Sequence, residues 1–136
     1  MRDIDKIIIH CSATQEGKEI SAATIDKWHK ARGWRGIGYH FVVALDGTIE
    51  YGRALNKVGA HVKGHNKSSI GICYIGGLDS VSKTAKDTRT PEQIATLLEL
   101  LRVLKKLHPG VTIHGHNEFA AKSCPCFDVQ AEYCNL

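Results

Sequence analysis

Eight histidines and five cysteines among 136 residues are the side chains with the most chemistry to offer, and three of them fall where a site could form. His10 closes an apolar run that includes Ile7, Ile8 and Ile9. His116 lies two residues beyond the apolar-to-polar segment Val111–His114, and Cys124 follows eight residues later. Two imidazoles and a thiolate suit zinc, which prefers tetrahedral nitrogen and sulfur ligation. Three protein ligands leave a fourth position for water, as in catalytic zinc sites. Spacing alone does not select this reading, because no CxxC or HExxH pattern accompanies the three. The same residues also read as a Cys124 nucleophile with His116 as its base, or as packed histidines with a buried free cysteine. His114 competes with His116 as a ligand, since in a regular strand the two share a face.

These residues need elements to bring them together. Ile4–His10 reads as a strand: its run of isoleucines is β-branched, too short for a helix, and apolar enough to be buried on both faces. Ser21–Arg32 reads as a helix with Ser21 as N-cap and Gly33 as its stop. Tyr39–Leu45 and Thr48–Gly52 flank Asp46-Gly47 as a hairpin. Residues 55–68 read as loop, Ser69–Ile75 as a further strand, and residues 78–89 as a polar surface loop. The strongest signal is a helix over Pro91–His108. Thr90 caps it, Pro91 stands at its first position and Gln93 completes a capping box. Its expected apolar stripe is Ile94, Leu97, Leu98, Leu101 and Leu104. A strand at Val111–His114 and a short helix at Val129–Cys134 follow, with Asp128 as the N-cap of the latter or as an orienter of a ligand. The order predicts a single α/β domain over residues 1–136, a central mixed β-sheet flanked by helices.

Composition narrows the class. Hydrophobic residues make up 43% and charged residues 24%, which excludes disordered, collagenous and coiled-coil chains. The net charge of +4 favours an anionic polymer as partner, but no dense basic run points to nucleic acid. No stretch approaches a membrane span and none resembles a signal peptide, so synthesis in the cytoplasm is expected. In that compartment disulfides are not expected, apart from a possible Cys126–Cys134 pair. Cys11 and Cys73 read as buried small apolar residues, and His29 and His40 as packing or surface residues.

Ordered blocks through nearly the whole chain carry a resemblance. They are Ile9-His10-Cys11-Ser12-Ala13-Thr14, Trp28-His29-Lys30, Gly33-Trp34, Gly38-Tyr39-His40-Phe41, Asp46-Gly47-Thr48, Gly52-Arg53, Val58-Gly59-Ala60-His61 and residues 66–71. His116-Asn117-Glu118, Lys122-Ser123-Cys124-Pro125 and Phe127-Asp128 complete the set. In these the chain resembles the zinc-dependent N-acetylmuramoyl-L-alanine amidases of the phage lysozyme type, in the superfamily of the peptidoglycan recognition proteins. The resemblance implies one zinc ion held by His10, His116 and Cys124, catalytic roles for Tyr39 and Lys122, and His61 as a residue of the substrate groove or of a structural loop. It implies cleavage of the amide between N-acetylmuramic acid and L-alanine in peptidoglycan, as an endolysin that reaches the wall by holin-type or other release. Zinc would supply hydroxide at neutral pH by lowering the pKa of bound water toward about 7. Cys126 departs from the phage pattern, which has Ser there. Recognition proteins of this superfamily bind peptidoglycan without cleaving it, and Cys124 argues against that alternative. Some phage members also inhibit RNA polymerase. With only nine residues before His10, RNA polymerase is the doubtful partner and peptidoglycan the expected one, for a chain expected to act as a monomer.

Overall fold

The computed structural model describes residues 2–136. The chain runs β1 (Lys6–Cys11), β2 (Thr14–Gln15), α1 (Ala22–Ala31), β3 (Phe41–Val43), β4 (Ile49–Tyr51), β5 (Ser69–Tyr74), β6 (Gly77–Leu78), α2 (Pro91–Leu107), β7 (Thr112–Gly115) and α3 (Val129–Tyr133). A five-stranded sheet has the order β4-β3-β5-β1-β7. Strand β1 is parallel to both its neighbours, β3 is parallel to β5, and only β4 runs antiparallel. The mixed sheet flanked by helices that the sequence predicts is the fold observed.

The isoleucine run explains the position of β1. Ile7, Ile8 and Ile9 are all fully buried, which requires cover on both faces and strands on both sides. Alternation then assigns the faces. Ile7, Ile9 and Cys11 join Ile70, Ile72 and Tyr74 of β5 under Leu97, Leu101 and Leu104 of α2. The opposite face carries His10 and its register partner Cys73, and packs toward α1 through Ile25, Ile37, Val42 and Ile75. His10 thus lies on the face with the smaller apolar cluster, beside Tyr39 just before β3 and His61 in the loop after β4.

Several elements differ from their sequence-based bounds. The hairpin strands shorten to Phe41–Val43 and Ile49–Tyr51, because the turn at Gly47 (φ 86°) takes up Ala44 to Thr48. The short parallel pair β2–β6 was not foreseen; two-residue strands carry no period to read. In α2 the capping box forms as predicted, but the buried stripe shifts. Ile94 is 41% exposed, whereas Gln93 is fully buried. The reason is bonding rather than hydropathy. Gln93 Nε2 donates to the Val43 and Ile75 carbonyls at 3.1 and 3.0 Å, and its Oε1 accepts from the Thr90 N–H at 2.9 Å. One amide therefore joins the start of α2 to the ends of β3 and β5. Replacing Gln93 with Leu removes the side-chain donor to the Ile75 carbonyl and the acceptor of the Thr90 N–H, while the Val43 carbonyl keeps the Ile75 N–H, and is expected to lower unfolding free energy by about 1–3 kcal/mol. Urea unfolding should show a lower midpoint with an unchanged m-value.

Candidate active site

Parallel pairing places the two histidines together. β1 and β7 end at the same edge of the sheet, and Ile9 pairs with Gly115, so the next residue on each strand is His10 and His116. The carboxyl edge of parallel strands is the usual place for ligands in open α/β sheets. His116 opens a single 3-10 turn, His116–Glu118, and its Nδ1 lies 3.1 Å from His10 Nδ1. Cys124 arrives from the following loop, and its Sγ accepts the Cys11 N–H at 3.2 Å. The donor atoms of His10, His116 and Cys124 all lie within 4.8 Å of one another. Two converging Nδ1 atoms at contact distance and a thiol beside them form a donor set that fits a zinc-type ion. These are the three residues chosen from the sequence.

The rival ligand is excluded by its partners. Both nitrogens of His114 are engaged, Nε2 with Thr112 Oγ1 at 2.7 Å and Nδ1 with Glu118 Oε1 at 2.9 Å. His61 has two positions in one. It lines the groove with Trp34 and Lys63, and its Nδ1 lies 2.8 Å from His10 Nε2 while its Nε2 meets Ser69 Oγ at 3.2 Å. A lone pair on His10 Nδ1, which ligation requires, puts the proton on Nε2. That proton is donated to His61, and His61 donates onward to Ser69, a fully buried hydroxyl. The slot for the His61 ring is shaped by glycine: a Cβ on Gly71 would stand 2.7 Å from it. Burial, with the charges of neighbouring groups, lowers the pKa values of His10 and His116 and takes His61 down to about 3. Lys122 contributes to the lowering at His10 and His116. All three imidazoles are therefore neutral at neutral pH, the form that ligates metal.

Tyr39 and Lys122 stand at the rim of the cluster. The Tyr39 ring centroid is 5.0 Å from that of His10, and burial raises its phenol well above the ordinary tyrosine range, so the hydroxyl keeps its proton. Lys122 is exposed. It borders, with His116, two hollows. One of about 220 Å³ passes Trp28, Arg32 and Tyr39; the other, of about 520 Å³, passes Trp34, His61 and Phe119. His116 and Lys122 line both, and Cys124 lines the first.

Other expectations resolve plainly. Asp128 is the N-cap of α3, accepting from the Ala131 N–H at 3.1 Å. Cys11 and Cys73 are buried. The Cys126–Cys134 pair does not form: both thiols are free, because α3 carries Cys134 to the surface while Cys126 turns toward Cys11. His29 and His40 are packing residues with a task that sequence reasoning missed. His29 Nδ1 accepts the Gly38 N–H at 2.9 Å, and His40 Nδ1 accepts the Gly71 N–H at 3.1 Å. They fix the backbone beside Tyr39 and under His61. A buried histidine beside glycine, in Gly38-Tyr39-His40, was the only signal available.

Burial is the largest cause lowering the pKa values of both His29 and His40 below 6.5. The unfolded chain takes up these protons near 6.5 and the folded chain does not. Stability is therefore whole above that pH and falls as pH drops below it. Urea midpoints should decline from about pH 6.5 toward 5, above the carboxylate range; a flat profile in that window would contradict the assignment.

Comparison with known proteins agrees with this geometry. The family described as N-acetylmuramoyl-L-alanine amidase matches residues 1–127. The endolysin of Escherichia phage T7 is 42% identical over 126 residues, covering 93% of this chain and 83% of the phage protein. The N-acetylmuramoyl-L-alanine amidase LysC of Clostridium intestinale superposes with a TM-score of 0.80 at 30% identity, over 96% of this chain and 85% of its own. A complex of peptidoglycan recognition proteins LCa and LCx with tracheal cytotoxin gives 0.76 at 30% identity, over 92% and 77%. The chain belongs to the N-acetylmuramoyl-L-alanine amidase family and is an amidase of the endolysin type.

Proposed function

We propose that His10, His116 and Cys124 hold one zinc ion, and that Tyr39 and Lys122 act beside it on the amide joining N-acetylmuramic acid to L-alanine in peptidoglycan. The observation that carries this reading is the convergence of the three donor groups where two surface hollows share His116 and Lys122. Zinc bound there would polarise the amide carbonyl and make water a nucleophile at neutral pH.

The chain's own residues do the rest. Lys122 sets a fixed positive charge where negative charge develops on the carbonyl oxygen. Tyr39, held as a neutral phenol, donates a hydrogen bond to the same region or orients the attacking water. The two hollows accept a polymer lying across the site, glycan on one side and stem peptide on the other. Arg32, Lys63 and Lys122 along them suit the carboxylates of the bacterial wall. His61 holds the Nε2 proton of His10 and so keeps Nδ1 available for the ion. One chain supplies every group named, which supports action as a monomer, and action on the wall follows release of the protein from the cytoplasm. No helix among the described residues is long and apolar enough to cross a membrane.

Digested peptidoglycan analysed by mass spectrometry, with metal analysis of the same sample, tests the reading. Stem peptides with a free L-alanine amino terminus and one zinc per chain are expected. A metal-free preparation that clears walls at full rate would sink it, as would His116→Ala with undiminished lysis. Tyr39→Phe and Lys122→Ala should keep zinc and each lose about 10²–10³-fold in turnover. His61 separates its two roles by metal affinity. His61→Ala should weaken zinc binding by about 10–100-fold, while His61→Asn, whose amide oxygen takes the place of Nδ1, should restore most of it. Unchanged zinc affinity in His61→Ala with a raised KM would make His61 a groove contact only.

A further inference from the structure

Cys11 and Cys126 take no part in the chemistry above, yet their thiols meet. Cys11 follows His10 directly and is 4% exposed. Cys126 lies two residues after Cys124 and is half-buried. Their Sγ atoms are 3.8 Å apart, in contact and unbonded. Two features hold them so. A Cβ on Gly77 would come within 2.5 Å of Cys11 Sγ, so glycine there leaves room for the thiol. Cys126 adopts φ +70°, the left-handed region that a side chain disfavours, and its thiol donates to the Gly77 carbonyl at 3.4 Å. A residue with a side chain is held in a glycine-like conformation with its sulfur against a second sulfur, 115 positions away in the chain.

We propose that Cys11 and Cys126 form an oxidative cross-linking site, which a small-molecule disulfide converts into an intramolecular disulfide tying β1 to the loop that carries Cys124. Burial and the neighbouring Cys11 raise the pKa of the Cys126 thiol, so the thiolate fraction is small and the exchange slow. That thiolate, the more accessible of the two, attacks the oxidant, displaces one thiol and forms a mixed disulfide. Cys11 then attacks Cys126 Sγ and displaces the second thiol. Two protein thiols lose two protons and two electrons, and glutathione disulfide, the oxidant named here, leaves as two molecules of glutathione. Closing the bond brings the sulfurs from 3.8 Å to about 2.05 Å. The bond stands one residue past His10 and two past Cys124. It therefore fixes two ligand-bearing segments against each other and leaves Cys124 outside the bond. Formation of the bond depends on the sulfur contact alone; its effect on metal retention rests on the zinc reading of the site.

The test incubates the zinc-loaded protein with glutathione disulfide, then counts thiols after denaturation in chelator and maps peptides. The Cys11 and Cys126 peptides should be linked, together lighter by two hydrogens and free of glutathione, with Cys73 and Cys124 left as thiols and the exposed Cys134 as a thiol or a glutathione adduct. The melting temperature should rise, because the cross-link closes most of the chain into a loop. Zinc release to a chelator should slow by roughly tenfold, the scale on which outer contacts tune metal affinity. Cys126→Ser, with Cys126→Ala as a second variant should the first fail to fold, should bind zinc normally and show neither cross-link nor slowing. A glutathione adduct left on Cys126, or a cross-link through Cys124 or Cys134, overturns the proposal, and so does a cross-linked protein that releases zinc no more slowly than the reduced one. A protein that binds no zinc at all defeats the metal reading instead, and the peptide map still decides the cross-link.

Discussion

The parallel pairing of β1 with β5 and β7 is the constraint on which the rest depends. His10 and His116 are 106 residues apart in sequence, and no local element could join them. The register Ile9–Gly115 does so by making each histidine the next residue at the same sheet edge. A one-residue slip would turn His10 to the α2 face, among Leu97, Leu101 and Leu104. The cost of burying an imidazole in that apolar layer, with Cys11 moved out of it, opposes the slip. Core packing and site geometry are therefore one specification, written in alternate residues of a six-residue strand.

Burial on the α1 face has a chemical consequence of its own. An imidazole sunk beneath α1 and the loop of His61 resists protonation, and here one buried ring hydrogen-bonds another until the run ends on Ser69. No carboxylate stands behind His10, unlike the acid-backed histidines of many metal sites. The backing is neutral, so it adds no charge to the site. A neutral backing also costs less to bury than a charge would. That is why a fully buried strand can carry His10 without an ion pair beneath it.

Much of this was legible in the sequence, and the reasons are specific. The isoleucine run marks a central strand because few other positions tolerate such burial. Thr90, Pro91 and Gln93 mark the start of α2 because capping is local chemistry. The grouping of His10, His116 and Cys124, with Tyr39 and Lys122 beside it, was legible through ordered blocks of resemblance, whereas spacing alone left zinc, a thiol nucleophile and plain packing all open. What could not be read depends on contacts between distant segments. Gln93 was assigned to a cap and is also a buried cross-link between strands. His61 was assigned to the groove, and its bond to His10 has no trace in spacing. Cys126 was paired with the nearer Cys134 in sequence, but the left-handed backbone at Cys126 turns its thiol to β1.

The third member of the cluster poses the harder problem, since Cys124 sits on a loop while its two companions lie at the ends of strands. Loops lose precision unless something outside the site fixes them, and here four contacts share that task. The Cys11 N–H holds the sulfur itself. Tyr74 donates its hydroxyl proton to the Pro125 carbonyl at 2.6 Å from within the core. Arg89, with its side chain 3% exposed, lies 3.5 Å over the Phe127 ring and pairs with Asp87 and Glu132. Asp128 caps the helix that follows. These anchors come from β1, β5, the loop before α2, and α3, so the loop is referenced to the same sheet as the histidines. The position of Cys124 thus inherits the rigidity of the core, and a metal ion arriving at the cluster need not first order a mobile segment, which spares the conformational entropy such ordering would cost.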